Sequence, residues 1–400
     1  MLTVMQLRYA FRIEPTPGQR DALAQAFGCA RVVFNDALRI REEAYAQGLP
    51  YPTSAELSRR VITEAKRTPE RAWLAEVSAV VLQQSLRDLD AAYRNFFASV
   101  TSTRKGPRIR RPRFKTRRDH RQAVRFTANA HWKITGEGRL RLPKIGDIKV
   151  RWSRELPSVP STVTVVKDTA GRYFASFVVE TAPERDVAAW PVADGVQGVD
   201  LGLTHFAVLA DGTRVSSSRF LRRAEKKLRK RQRELSRKDK GSRNRDKARV
   251  RVARAHVRVA DARKDFHHQL STKITRENQA VFVETLAVQA LARTRLAKSV
   301  YDAGWSQFVA MLEYKAGRYG RAFGRVARDF PSSQLCSDCG QRDGPKPLDV
   351  RSWTCRTCGG VHDRDVNAAR NIRNEGVRLA AAASQTAPPT PGPGAPAHAG

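Results

Sequence analysis

The stretch VQGVDLGLTHFAVL, residues 196–209, reads as two short apolar strands, Val196 to Leu203 and Phe206 to Leu209, joined by a tight turn, with one acid, Asp200, set inside the first. A carboxylate left unpaired in a buried strand is costly. The run AVFVE at 280–284 reads as a short buried strand ending on Glu284 in the same way. A third acid, Asp365, lies in HDRDVNAARNI, 362–372, at an expected helix start. Acids commonly end strands, so none of the three carries an argument alone. Convergent carboxylates, however, relieve the burial penalty by binding divalent metal.

Between the first two acids, residues 219–264 are helical in pattern and very basic. Leu221, Leu228 and Leu235 recur at steps of seven, Gly241 and Ser242 break the run, and Val252 and Val259 resume it. Two antiparallel helices are expected, with Lys226, Lys227, Arg229, Lys230, Arg231 and Arg233 available to nucleic-acid backbone. A solvated charged hairpin is the plainer alternative, but it leaves the shortage of compensating acid unexplained. Asp302 to Tyr319 reads as one helix with Trp305, Phe308, Val309 and Leu312 on one face. His267-His268, on a basic helix, are expected at the surface or against bound nucleic acid.

Cys336-Ser-Asp-Cys339 and Cys355-Arg-Thr-Cys358 are separated by 15 residues, and glycine follows each pair. Two such knuckles can bring four thiolates onto one tetrahedral zinc. With four protein ligands the site is closed, hence structural, and the metal supplies folding energy that so short a segment lacks. The fifth cysteine, Cys29, lies in the apolar stretch Phe27 to Phe34 and reads as core.

Towards the N-terminus, Leu7, Tyr9, Phe11 and Ile13 alternate as a strand. Thr16 before Pro17 is a helix start, an N-cap followed by a first-turn proline. A second long helix is expected from about Ser78 to Val100, with Val81, Leu82, Leu86, Leu89, Tyr93, Phe96 and Phe97 as its stripe. Residues 104–121 are basic and interrupted by Pro107 and Pro112, which forbid a regular helix. They read as a solvated loop or as a strap touching backbone phosphates through Arg110, Arg111, Arg113, Lys115, Arg117 and Arg118. Short alternating segments from 122 to 180, with a hairpin turn at 167–171, suggest a small antiparallel barrel that the first strand completes, the helices being inserted between. Residues 181–195, with Pro183 and Pro191, read as a linker, and the last 20 residues as a low-complexity disordered tail.

The 400 residues hold 74 Lys and Arg against 39 Asp and Glu, a formal net charge of +35, with 41% hydrophobic residues. The composition is that of a folded chain with a polyanionic partner. No apolar run reaches the roughly 18 residues of a membrane-spanning helix, and Met1 to Phe11 carries no signal-peptide pattern. A cytoplasmic protein that meets nucleic acid is expected.

The sequence resembles the TnpB (OrfB) family of insertion-sequence transposon proteins, relatives of the type V CRISPR effectors. The resemblance is carried by Gly198-Val-Asp-Leu-Gly-Leu-Thr-His-Phe-Ala207, Asp302-Ala-Gly-Trp305, Phe330-Pro-Ser-Ser333 leading into Cys336, Ser352-Trp-Thr-Cys355 and the block from Asp363 to Ile372. It implies a RuvC-like, ribonuclease H-type nuclease with Asp200, Glu284 and Asp365 as catalytic, magnesium-binding acids, two Mg²⁺ ions, and a guide RNA and target DNA as partners. Asp363 is a flanking acid. One departure is Thr285-Leu286-Ala287, where the family usually has Asp-Leu-Asn after the glutamate.

The expected architecture is therefore a multidomain α+β/α/β chain. Residues 1–15 and 119–182 form a small wedge-like β-barrel, with a helical recognition domain and basic strap inserted at 16–118. Residues 195–330 and 361–378 form the RuvC-like domain, 331–360 the inserted zinc ribbon and 379–400 a disordered tail. The expected function is RNA-guided, metal-dependent DNA cleavage. A non-cleaving RNA-guided repressor and a transposition accessory DNA-binding protein are the alternatives.

Overall fold

A computed structural model describes residues 5–181, 187, 190, 193–347 and 349–386. The chain divides into two compact units, Met1–Ala182 and Pro183–Gly400.

In the first unit, β1 (Met5–Glu14) alternates buried and exposed residues, with Tyr9, Phe11 and Ile13 inward. It is the central strand of a seven-stranded antiparallel sheet. The other six are β2 (Gln122–Thr127), β3 (Lys133–Ile134), β4 (Arg139–Leu142), β5 (Gly146–Arg151), β6 (Thr162–Lys167) and β7 (Tyr173–Thr181), in the order β2-β6-β7-β1-β5-β4-β3. Among the described residues no ladder joins β2 to β3, so the expected barrel is an open half-barrel. Its far edge is the two-residue β3, too short to close against the six residues of β2.

Two long helices lie between β1 and β2. Helix α1 (Pro17–Ala46) opens with a capping box, Thr16 accepting from the Gln19 amide and Gln19 from the Thr16 amide. After the short α2 (Ser54–Ser58), α3 (Ala79–Val100) packs on α1 through Val81, Leu82, Leu86 and Leu89. Its stripe fades towards the C-terminus, where Phe97 is exposed. Inside this bundle, Arg41 is 3% exposed, bonds Asp90 at 2.5 Å and lies over the rings of Tyr51 and Tyr93.

The second unit is built on a mixed sheet of β8 (Val196–Leu201), β9 (His205–Leu209), β10 (Arg214–Ser216), β11 (Ala280–Glu284) and β12 (Ala322–Val326), in the order β10-β9-β8-β11-β12. The first three run antiparallel, and β8, β11 and β12 are parallel. Helix α4 (Phe220–Ser236) and helix α5 (Arg243–Glu277) form the basic hairpin. After a short turn, α6 (Val288–Leu291), come α7 (Ala297–Ala303) and α8 (Trp305–Arg318). The single helix expected over Asp302–Tyr319 is thus interrupted, because Gly304 takes φ 66°, a left-handed value that ends α7 and starts α8. Asp302 belongs to α7, where its carboxylate accepts the Leu221 and Arg222 amides and caps α4.

Val199, Leu201, Val281 and Val283 pack on one face of this sheet with Ile274, Phe308 and Leu312 from α5 and α8. The opposite face meets α9 (Arg364–Thr386), where Phe282 packs with Ile372. Between β12 and α9 along the chain lies a two-stranded ribbon, β13 (Ser352–Thr354) with β14 (Val361–Asp363). The tail expected from 379 is helical as far as Thr386, since α9 simply continues through the alanine run; residues 387–400 and most of the expected linker lie outside the described residues.

Candidate metal centres and nucleic-acid surface

The geometry of β8, β11 and α9 brings the three acids into one neighbourhood. Val199 pairs with Val283 across the parallel ladder, so Asp200 and Glu284, one residue further on, are cross-strand neighbours on the same face. That face also carries Gly198 and Phe282, because strand side chains alternate. A Cβ on Gly198 would stand 2.1 Å from the Ala369 carbonyl and 2.6 Å from the Arg373 amide. Glycine therefore lets α9 lie directly on β8. Ala369 is one helical turn beyond Asp365, so the helix face that touches Gly198 also presents Asp365 towards Asp200. A Cβ on Gly376 would likewise strike the Phe282 ring at 2.1 Å, which fixes the far end of the same contact.

Asp200 and Glu284 share a side-chain hydrogen bond, and Glu284 Oε1 also accepts the Leu201 amide at 3.0 Å. Burial, then the neighbouring charges of Glu284 and Asp365, push the Asp200 carboxyl well above its usual range. Burial raises Glu284 too, against the Leu201 hydrogen bond. Asp365 stands further off. Among the described residues the three carboxylates are not all gathered within 4.8 Å, as the cysteines are. Arg351 reaches Asp365 at 3.7 Å. Asp363 accepts the Val366 amide and pairs with Arg214, so it caps α9 rather than joining the acids. Thr285, the first residue of the departure that follows Glu284, donates to the Val326 carbonyl at 2.7 Å and ties β11 to β12.

The four cysteines converge, with Sγ atoms 3.6 Å apart for Cys336–Cys358 and 3.8 Å for Cys339–Cys355. The edge of a tetrahedron with Zn–S bonds of about 2.3 Å is about 3.8 Å, so the donor set is compatible with structural zinc. A backbone hydrogen bond at Cys358 brings the Cys355 thiol down to about 7, while Cys358, against its own backbone hydrogen bond at Gly360, is pushed up to about 12 by the neighbouring thiols of Cys336 and Cys339. His362 Nε2 lies 3.0 Å from Cys336 Sγ, a neighbour that sequence reasoning missed. Cys29 is buried in the first unit, its thiol pushed up to about 11 by burial.

The expected basic surface is unevenly available. Arg110, Arg113, Arg117 and Arg118 are exposed and, among the described residues, form no ion pair. Arg111 lies over the rings of Tyr45 and Phe96. Lys115 is turned back onto α1, its ammonium 3.8 Å from the Phe34 ring centroid and its backbone bonded twice to the Asn35 amide. On α4, Lys226, Lys227, Lys230 and Arg233 are exposed, whereas Arg229 and Arg231 pair with Glu225 and Glu234 of their own helix. The surface position expected for His267 is wrong. It is fully buried and hydrogen-bonded to the Ala303 carbonyl, because it sits on the side of α5 that meets the sheet, against Phe206 and Phe308.

Three family models match the chain: the probable transposase OrfB_IS605 over residues 176–295, the Cas12f1-like TNB domain over 305–372, and the OrfB_IS605 helix-turn-helix domain over 1–49. A Streptomyces pristinaespiralis protein named for RNA-guided DNA endonuclease activity is 42% identical over 95% of this chain and 92% of its own length. The chain belongs to the TnpB (OrfB) family. InsQ of Escherichia coli K12, named for the same activity, is 31% identical over 91% of this chain and 90% of its own. Among solved structures, Cas12f1 in a complex with single-guide RNA and target DNA superposes with a TM-score of 0.51, at 14% identity, covering 93% of this chain and 99% of that one. At that identity the likeness speaks for a shared fold alone. The TNB match spans all four cysteines and α9 as far as Ile372. The helix-turn-helix match falls on β1 and the single long helix α1. Among the described residues no helix is long and apolar enough to cross a membrane.

Proposed function

We propose that this TnpB-family chain is a transposon-encoded, RNA-guided DNA endonuclease, RuvC-like in its second unit, that hydrolyses phosphodiester bonds at Asp200, Glu284 and Asp365. The observation that carries the reading is the enforced meeting of Asp200 and Glu284 on adjacent parallel strands, with Asp365 facing them from α9. A fold that crowds carboxylates until their acidity is suppressed is stabilised by cations between them. The donor set is all oxygen, which suits Mg²⁺. Asp200 and Glu284 would hold such a cation between them, and Asp365 would complete the donor set from α9 for a second. Bound there, magnesium would activate the attacking water and neutralise charge on the leaving 3′ oxygen.

The chain's own residues hold that arrangement. The Leu201 amide orients Glu284, the backbone of α9 rests on Gly198, and Arg351 lies beside Asp365. Arg110, Arg113, Arg117 and Arg118 in the first unit, and Lys226, Lys227, Lys230 and Arg233 in the second, would neutralise backbone phosphates of guide RNA and target DNA. The half-barrel and helical bundle would serve as the wedge and recognition parts, with base pairing of the guide supplying sequence choice.

The test is to purify the protein with its copurifying RNA, sequence that RNA, and assay cleavage of matching duplex DNA with Mg²⁺ and with EDTA. Cleavage that needs both the RNA and Mg²⁺ is expected. A ribonucleoprotein that binds the DNA but never cuts it would favour the repressor reading instead.

A further inference from the structure

The four-thiol cluster and Asp365 are joined by more than chain continuity. Asn367, two residues after Asp365, is 1% exposed and uses both ends of its amide. Its Nδ2 donates to the Leu335 carbonyl at 2.7 Å, and its Oδ1 accepts the Ser337 amide at 2.8 Å. Those two residues flank Cys336. One turn on, Asn371, 5% exposed, donates to the Ser332 and Leu335 carbonyls, both at 2.8 Å. The Leu335 carbonyl thus receives two side chains of α9. His362, 3% exposed and three residues before Asp365, lies on β14, which runs straight into α9. Its Nε2 is 3.0 Å from Cys336 Sγ.

We propose that Asn367, Asn371 and His362 are positioning residues that clamp the first cysteine knuckle onto the first two turns of α9, so that metal in the thiol cluster holds Asp365 in place. The proposal rests on the reading of Asp365 as a catalytic acid, but the clamp itself is independent of it. Amides suit this place physically. Each bonds backbone groups that would otherwise be buried without partners, and neither adds charge beside acids already crowded together. With metal bound, the knuckle is rigid and the asparagines transmit that rigidity to the helix. Without it, the knuckle loses its fold and α9 loses its anchors at Ser332, Leu335 and Ser337.

Hydrogen–deuterium exchange of amides 364–373 in the full-length protein tests this directly. In the parent, stripping the cluster with a strong chelator should speed their exchange by about tenfold or more. In the Asn367→Ala/Asn371→Ala protein, exchange should already be fast with metal bound and respond little to its removal. Cobalt substituted into the cluster should show the same thiolate-to-metal absorption in both proteins, showing that the thiol site itself survives. Exchange at 364–373 that ignores metal removal in the parent, an arm that needs no substitution, would overturn the proposal. So would a double variant that keeps the parent's protection and metal response. Asp365→Ala should leave exchange and its metal response unchanged. If that variant still cleaves DNA, the nuclease assignment fails while the clamp is judged on its own exchange data.

Discussion

Asp200 sits where folding works against its charge. Its carboxyl is raised by burial and by Glu284 and Asp365, so the folded, metal-free protein keeps a proton that the unfolded chain releases above about pH 4. Stability of the metal-free protein therefore falls as pH rises from there through the raised value. Asp200→Asn should melt higher than the parent in EDTA at pH 8, and Mg²⁺ should raise the parent's melting temperature but not the variant's. Melting curves of the two proteins in EDTA and in Mg²⁺ check this; a variant that melts lower in EDTA would contradict it. His267 behaves in the opposite sense. Burial lowers its imidazole to about 4, so between pH 6.5 and 4 only the unfolded chain takes up the proton. Stability drains away as pH falls through that window, and His267→Phe should flatten the loss in denaturant titrations at pH 7 and pH 5. In the first unit, Asp90→Ala leaves the Arg41 guanidinium buried beside Tyr51 and Tyr93 without its acid, and should cost about 3 kcal/mol in urea unfolding.

At the scale of elements, the contact between α9 and the sheet decides whether the acids meet. Gly198→Ala should force α9 away from β8, since the added methyl meets backbone atoms that cannot rotate aside. The expected outcome is a destabilised protein whose cleavage falls by at least about tenfold, a barrier raised by about 1.4 kcal/mol or more. Parent-like cleavage and melting in this variant would show that α9 does not rest on β8 as described. Much of this was legible beforehand. Alternation marked β1, β8 and β11, the Thr16–Pro17 cap marked α1, and the heptad leucines with Gly241–Ser242 marked the α4–α5 hairpin. Strand β12 was not, because Gly324 and Arg325 interrupt its apolar pattern and it is held by its parallel neighbour β11 rather than by its own residues. The half-barrel's open edge and the left-handed Gly304 were also invisible, since both depend on tertiary geometry. The burial of His267 was missed for a related reason: charge on most of α5 masks the face that meets the sheet. The two cysteine pairs were readable from spacing alone, whereas the asparagine clamp joins residues 30 and 32 positions apart.

Over the whole molecule, a formal charge of +35 implies binding dominated by counterion release. Replacing Lys226, Lys227, Lys230 and Arg233 with glutamine should weaken binding at every sequence alike. It should also flatten the plot of log affinity against log salt by about 0.7–0.9 for each phosphate no longer neutralised. An unchanged slope would remove α4 from the interface. The same charge lets catalysis be separated from binding, because the acids hold no phosphate through charge attraction while the basic surfaces do. The most direct measurement is single-turnover cleavage by the RNA-loaded protein carrying Asp365→Ala, with RNA and DNA binding measured in the same samples. Parent-like binding with cleavage slower by about 10³-fold or more, the scale of losing several kcal/mol of transition-state stabilisation, is the predicted result. Parent-like cleavage by the substituted protein would contradict the three-acid site.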